Sequence, residues 1–278
     1  MNFIDRLPVK WGVPEAFDAT RINLMREGVL TLVGIKRLES EALFVSSEGI
    51  GTLRETAKVE FAGKERYWWL ARKYNGVLRR VLLAKLNVNN CTVDKPCVAC
   101  EVCGLLGGLS TDNNKSLFSR LKVQDLISVQ PYEYDEKFRV RLPDEPNANP
   151  TPFQEVIVPP GTEFPFIVRL IKPSQRDLML FLHGNQLADG LGYGNYSKLR
   201  GNATTDWLLM ANGFAHLSVY RLLSSEKSLA KQIEEFAQAA VGVTAEDVLT
   251  GDDLFEAINQ LSTKFQSVDA QKETVQEE

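Results

Sequence analysis

Four cysteines lie within thirteen residues: Cys91, Cys97, Cys100 and Cys103, in the run CTVDKPCVACEVCG. The chain has no others. Two consecutive C-x-x-C spacings bring sulfurs together on a tight turn, and Cys91, six residues upstream, reaches back to them. Four thiolates on one loop fit a tetrahedral Cys₄ site, in which the metal closes a loop that has no core of its own. In an intracellular chain such clustering argues for metal rather than disulfides. Structural zinc is the favoured reading. An iron–sulfur cluster is the sharper alternative, because C-x-x-C-x-x-C plus a fourth cysteine resembles cluster ligation; free thiols are the third. A closed Cys₄ site leaves no open position for a substrate, so the cluster reads as a staple.

The second chemistry-bearing feature is charge. The 278 residues carry a net charge of −4, which by itself argues against a simple polyanion binder. The distribution says more. Residues 64–86 hold seven cations against one acid, a local +6, whereas residues 226–278 hold twelve acids and four lysines, a local −8. An acidic C-terminal part masks a mildly basic body, and a locally basic groove suffices to hold a phosphate backbone. The competing reading is a solvated charged face. Tyr67, Trp68, Trp69 and Tyr74 interleave with these cations and would suit base stacking, although aromatics in a strand are more often core.

Enzyme chemistry is poorly represented. The only histidines, His183 and His216, sit in apolar contexts that favour packing roles. No GxSxG, P-loop, HExxH or dinucleotide fingerprint occurs. Asp252-Asp253 reads as a helix N-terminus.

The elements that must position these groups mix irregularly. VLTLVGIKRL (29–38) reads as a strand, and 42–61 as strands broken by a turn at Glu48-Gly49-Ile50-Gly51. From Asn75 the pattern turns helical, with a stripe at Val77, Leu78, Val81, Leu82 and Leu86. Gly104 to Gly108 is a poor helix former. Residues 117–129 read as one strand with a basic edge, and 131–155 as a polar excursion folded into a hairpin. EVIVPPGTEFPFIVRLI (155–171) is two strands around a Pro-Pro-Gly turn. Ser174 and Asp177 form a capping box opening a helix to about Ala188. A glycine-rich loop follows, then a strand at 214–222, helices over 225–240 and 252–263, and a mobile tail at 264–278. Without clean β-α alternation, a small α+β core with large insertions fits better than a doubly wound parallel sheet. Hydrophobic content of 44% with 24% charged residues excludes a wholly disordered chain. The longest weakly polar stretch, Leu208 to Val219, falls short of a membrane span. The opening MNFIDRLPVK has no apolar h-region, so a cytoplasmic protein is expected.

Several motifs align in order with one family. Gly192-Tyr193-Gly194, six residues, then Gly201 resembles the C-terminal glycine-rich loop of the RAMP superfamily of CRISPR-associated proteins, although the second triplet, Gly201-Asn202-Ala203, departs from the pattern. YNGVLRRVLL resembles the entry into the basic helix of Cascade and Csm backbone subunits. SRLKVQD and EVIVPPGTEF resemble the two halves of the backbone-subunit frame that brackets its thumb. The resemblance covers roughly residues 28–222. The cysteines before GLLGG look most like the type I-D backbone subunit, with type III and IV subunits as near alternatives.

This resemblance implies a ferredoxin-like (RRM-like) palm over 1–222. A zinc-bearing loop at about 87–110 and a thumb hairpin at about 131–155 are inserted in it, with a helical part at 223–263 behind. It implies CRISPR RNA as ligand, copies of the same chain stacked in a filament, other Cascade subunits as neighbours, and target DNA met through the guide. The RNA contacts would be Lys58, Arg72, Lys73, Arg79, Arg80, Arg120, Lys122, Lys198 and Arg200, with backbone approach at Gly192 and Gly194. Phe138, Val140 and Leu142 would be thumb wedges. Type III backbone subunits cut target RNA with an aspartate in the loop matching 46–66. Here that loop offers Glu48, Glu55, Glu60 and Glu65 but no aspartate, so no catalysis is expected. The alternatives are a RAMP endoribonuclease processing precursor RNA through a histidine, a target-RNA-cleaving type III subunit, and a zinc-stapled scaffold that binds protein only.

Overall fold

The computed structural model describes residues 3–9, 28–45, 53–61, 63–111, 114–141, 151–194, 200–225, 227–238 and 243–275. In chain order its strands are β1 (Val29–Leu38), β2 (Leu53–Glu55), β3 (Lys58–Phe61), β4 (Lys64–Trp69), β5 (Gly108–Ser110), β6 (Lys115–Leu117), β7 (Leu121–Val123), β8 (Leu126–Pro131), β9 (Glu136–Arg141), β10 (Thr151–Val156), β11 (Glu163–Ile171), β12 (Ala203–Asn212) and β13 (Val248–Leu249). The helices are α1 (Ala71–Lys85), α2 (Glu101–Leu106), α3 (Gln175–Leu191), α4 (Val219–Leu223), α5 (Leu229–Gln238) and α6 (Gly251–Val275).

The central sheet has the order β13-β12-β1-β11-β7, and its ladders are antiparallel. With the insertions set aside, the chain runs β1-α1-β7-β11-α3-β12. That is a β-α-β-β-α-β unit with its strands in the spatial order fourth, first, third, second. The sheet is covered on both sides. Leu30, Leu32, Phe166 and Val168 pack against Leu78 and Leu82 of α1, Phe181 of α3, and Leu254 and Leu261 of α6. Val33, Ile167 and Leu209 face the other way, onto Leu217, Val219, Leu222 and Ile233. A strand covered on both faces needs apolar side chains at successive positions, which is why β1 reads as a largely apolar run.

Thr31, Lys36 and Arg37 interrupt that run. Lys36 is fully buried. Its ammonium donates to Asp189 Oδ1 at 2.5 Å and Thr205 Oγ1 at 2.8 Å, and lies 4.7 Å from the centre of the Phe166 ring. Asp189 also accepts from Tyr193 OH at 2.7 Å and Asn185 Nδ2 at 3.2 Å, and Asn185 accepts from Tyr74 OH at 2.9 Å. Burial pulls the lysine down to about 8, against the opposing pull of the Asp189 carboxylate.

The insertions form smaller units. A β3-β4-β8 sheet joins β3 and β4, which lie between β1 and α1 in the chain, to β8, which follows β7. The cysteine loop, α2 and the β5–β6 hairpin lie between α1 and β7. β9 and β10 form an antiparallel ribbon, extended by a parallel pairing of β10 with β2.

Several local expectations change. The 117–129 stretch is three short strands, because Arg120 and Gln124 turn aside to bond other segments. The run at 214–222 does not join the sheet. β12 already fills the edge of β1 from Leu38↔Ala203 to Leu30↔Asn212, so the following apolar residues cross the far face and form α4. Gly104 lies inside α2, whose first turn is capped by the Cys100 sulfur accepting from Cys103 N. α6 continues to Val275, where a tail from 264 was expected. The turn at 48–51 lies outside the described residues. No helix among the described residues is long and apolar enough to cross a membrane.

Replacing Lys36 by Met leaves Asp189 buried without its cation. The expected loss is about 3–5 kcal/mol in urea unfolding, and Lys36→Met combined with Asp189→Leu is expected to recover part of it. An unchanged midpoint for Lys36→Met would overturn this account.

Candidate metal centre and nucleic-acid face

The four cysteine sulfurs all lie within 4.8 Å of one another. Cys91 and Cys103 approach to 3.5 Å and Cys97 and Cys103 to 4.0 Å. Sulfurs bound at about 2.3 Å around a tetrahedral ion lie about 3.8 Å apart, so the cluster matches such a centre. Three backbone amides point at the sulfurs: Cys97 N at Cys91, Cys100 N at Cys97 and Cys103 N at Cys100, at 3.3–3.4 Å. This wrapping requires Val98 at φ 51°, a conformation a β-branched residue adopts only where its surroundings impose it. Donors from Cys100, Cys91 and Arg79 bring the Cys103 thiol down to about 4, while burial raises Cys91. The chemistry of the set, four soft sulfurs in a half-buried pocket, suits a closed structural ion.

Two arginines dock this loop on the body, and neither faces outward. Arg79 donates to Cys103 Sγ at 3.4 Å and to the Gly107 carbonyl at 2.5 Å. Arg120 grips Asp177 with two nitrogens at 2.5 and 2.7 Å and bonds the carbonyls of Gly104 and Lys172, both at 2.9 Å. Both are buried. The sequence reading placed them on a phosphate backbone. The structure instead spends their donors inside the protein, because the cysteine loop folds back over α1 and β7.

The other cations divide. Lys73 and Arg80, seven residues apart, lie one above the other on the outer side of α1, with Gly76 between them. Both are exposed, as are Arg72 and Lys122. Lys58 is exposed but held between Glu55 at 3.3 Å and Glu65 at 3.2 Å, its ammonium over the Tyr132 ring. Tyr67, Trp69 and Tyr74 are core, as the ordinary reading of strand aromatics expected. Trp69 stacks on Phe44 at 4.6 Å.

The glycine-rich segment is a neck. Tyr193 and Gly201 exchange both backbone hydrogen bonds, at 2.9 and 2.7 Å. The Tyr193 ring enters the core against Trp69, and its hydroxyl joins the Lys36–Asp189 network. Gly192 is buried at φ 85°, and a Cβ there would lie 2.9 Å from the Arg200 carbonyl oxygen. Its missing side chain therefore makes room for the neck rather than for a phosphate. Gly194 is half-buried and Arg200 exposed at the mouth, while Lys198 lies outside the described residues. On the β9–β10 ribbon, Phe138 and Val140 project from the same side, 75% and 59% exposed. Leu142 also lies outside the described residues. His183 is half-buried on α3, and His216 is exposed.

Sequence reasoning missed Lys36, Asp189 and the second role of Asp177. A cation inside VLTLVGIKRL was the available signal for the first: a lysine in a run buried on both sides must find a buried partner. Nothing local pointed to Asp189 as that partner, 153 residues away.

The fold has solved counterparts. The chain is similar in fold to a crystal structure of Csc2 from Thermofilum pendens, with TM-score 0.56 and 16% identity over 84% of this chain and 87% of that one. It is also similar to a chain of a CRISPR RNA-guided surveillance complex in a pre-nicking state, with TM-score 0.50 and 9% identity over 76% of this chain and 87% of that one. No protein-family model and no curated protein matches the sequence.

Elemental analysis of the purified chain is expected to find one metal ion per chain. Cys103→Ser is expected to hold well under one and to melt at a lower temperature. Wild-type protein that is folded, metal-free and reacts at four thiols would remove the metal centre.

Proposed function

We propose that this chain is a non-catalytic backbone subunit of a Cascade-like CRISPR effector complex, most like the type I-D kind. It binds the guide RNA, polymerises along it in the cytoplasm, and presents its bases to target DNA beside other Cascade subunits. The observation that carries this reading is the fold: the β-α-β-β-α-β sheet reads as a ferredoxin-like palm, and Csc2 shares its course over most of both chains.

The exposed cations on this palm support the RNA contact. Lys73 and Arg80 stand two helical turns apart on α1, with Arg72 beside them and Arg200 exposed at the mouth of the neck. Cations on one exposed helix face suit a phosphate backbone and hold a strand without reading its sequence. Phe138 and Val140, bare on a two-stranded ribbon, suit a thumb that wedges between bases. The cysteine centre is assigned to structural zinc, because all four ligands are sulfur and the site is closed by backbone amides. It fixes the loop through which Arg79 and Arg120 join α1, β7 and α3. The absence of catalysis rests on the groups available. Glu55 and Glu65 both flank the Lys58 ammonium, and Glu55 also accepts from Tyr132 OH at 2.8 Å.

Three outcomes test this reading. Ribonuclease treatment of the co-purifying nucleic acid should leave a ladder of protected RNA with a constant step. Folded, metal-loaded assemblies that protect nothing would overturn it. Lys73→Glu with Arg80→Glu should weaken RNA binding and flatten the log K against log salt plot by about 1.4, the share of two single-strand phosphate contacts; an unchanged slope would remove α1 from the interface. Complementary target RNA added to the assembled filament should stay intact, and regularly spaced cuts would make the chain a nuclease.

A further inference from the structure

The sheet face opposite α1 carries an arrangement that the guide-binding reading does not use. After β12 the chain crosses that face in extended form, with residues 214–217 alternately exposed and buried. The buried pair, Ala215 and Leu217, seats the segment, so the exposed pair, Phe214 and His216, stands outward. The two rings meet edge to face, with centroids 5.0 Å apart.

The segment is pinned from below. Thr31 of β1 donates to the Gly213 carbonyl at 2.7 Å. Arg169 of β11 donates to the carbonyls of Ala215 and Leu217 at 3.0 and 2.7 Å. Gln124 accepts from Val219 N at 3.0 Å. The Arg169 guanidinium lies 4.8 Å from the centre of the Phe214 ring. Phe214 is thus held with a cation against its inner face, while 43% of its surface stays open to solvent.

Further positive charge surrounds the rings. Lys122 is the register partner of Arg169, so its side chain leaves the sheet on the same face, and it is exposed. Arg221, also exposed, donates to the His216 carbonyl. Among the described residues, none of Arg169, Lys122 and Arg221 is ion-paired with a carboxylate. Elsewhere on the surface Arg37, Lys58, Lys137 and Arg139 each are. A fixed aromatic face within a set of uncompensated cations matches what unpaired bases on a polyanionic backbone require.

We propose that Phe214 and His216, framed by Arg169, Lys122 and Arg221, form a stacking site for an unpaired base of single-stranded nucleic acid. The base lies on the outer face of Phe214 and meets the edge of His216. Lys122 and Arg221 take the flanking phosphates. Because Phe166 faces α1 and Arg169 faces the other way, this site lies across the sheet from Lys73 and Arg80. It therefore serves a second strand, separate from the guide.

The test uses the full chain with short single-stranded RNA and DNA, each carrying one 2-aminopurine. Wild-type protein should quench the 2-aminopurine, and the nucleic acid quenched more strongly identifies the strand. Phe214→Leu, which keeps an apolar side chain of similar reach, should abolish the quench and weaken binding roughly 5- to 100-fold. Phe214→Trp should restore both, and the melting temperature of each variant reports whether the fold is intact. Quenching by Phe214→Leu equal to wild type, or none from wild type with either nucleic acid, would overturn the site. Neither result bears on the protected guide RNA.

Discussion

The fork between Arg120 and Asp177 is the interaction on which the rest of the molecule hangs. Asp177 closes the first turn of α3 by accepting from Ser174 while Ser174 accepts from its amide. The same carboxylate takes both ends of the Arg120 guanidinium, whose remaining donors reach Gly104 in the cysteine loop and Lys172 beyond β11. One planar cation thus ties together α3, the cysteine loop and the segments before β7 and after β11. A pair this deep is held by geometry rather than by raw attraction, since its desolvation cost offsets most of the Coulomb gain. Its value lies in direction: a bidentate guanidinium permits one arrangement of its partners.

Lys36 solves a different problem with a point charge. It stands in the middle of the sheet beneath the glycine-rich neck, and Asp189, Thr205, Asn185, Tyr74 and Tyr193 close a network around it with most donors satisfied. Tyr193 belongs to the neck itself, so the position of the loop mouth follows from the core. Among the buried cations of the described residues, Arg120 and Lys36 therefore have distinct tasks. One holds an insertion against the body, and the other holds a surface loop against the sheet.

The remaining cations sort by what they lack. Surface charges that meet carboxylates within the chain contribute little potential outside it. Lys73 and Arg80 on one side of the sheet, and Lys122 and Arg221 on the other, keep theirs. A chain of net charge −4 can in this way present two positive faces, because most of its acid sits in the C-terminal part and in local ion pairs.

What the sequence by itself determined was local. Two consecutive C-x-x-C spacings and a fourth cysteine six residues upstream point to a sulfur cluster, because a tight turn brings such sulfurs together. Ser174 and Asp177 determine a helix start, and a largely apolar strand determines a covered sheet. The tertiary structure alone decided which cations face inward. Arg79 and Arg80 are neighbours with the same chemistry, yet one is buried and the other exposed, because a loop beginning several residues later folds back over one side of α1. It likewise decided that the apolar run at 214–222 crosses the sheet instead of joining it, since β12 had already taken the open edge of β1. Burial is a property of what arrives from a distance, and no window along the chain contains it.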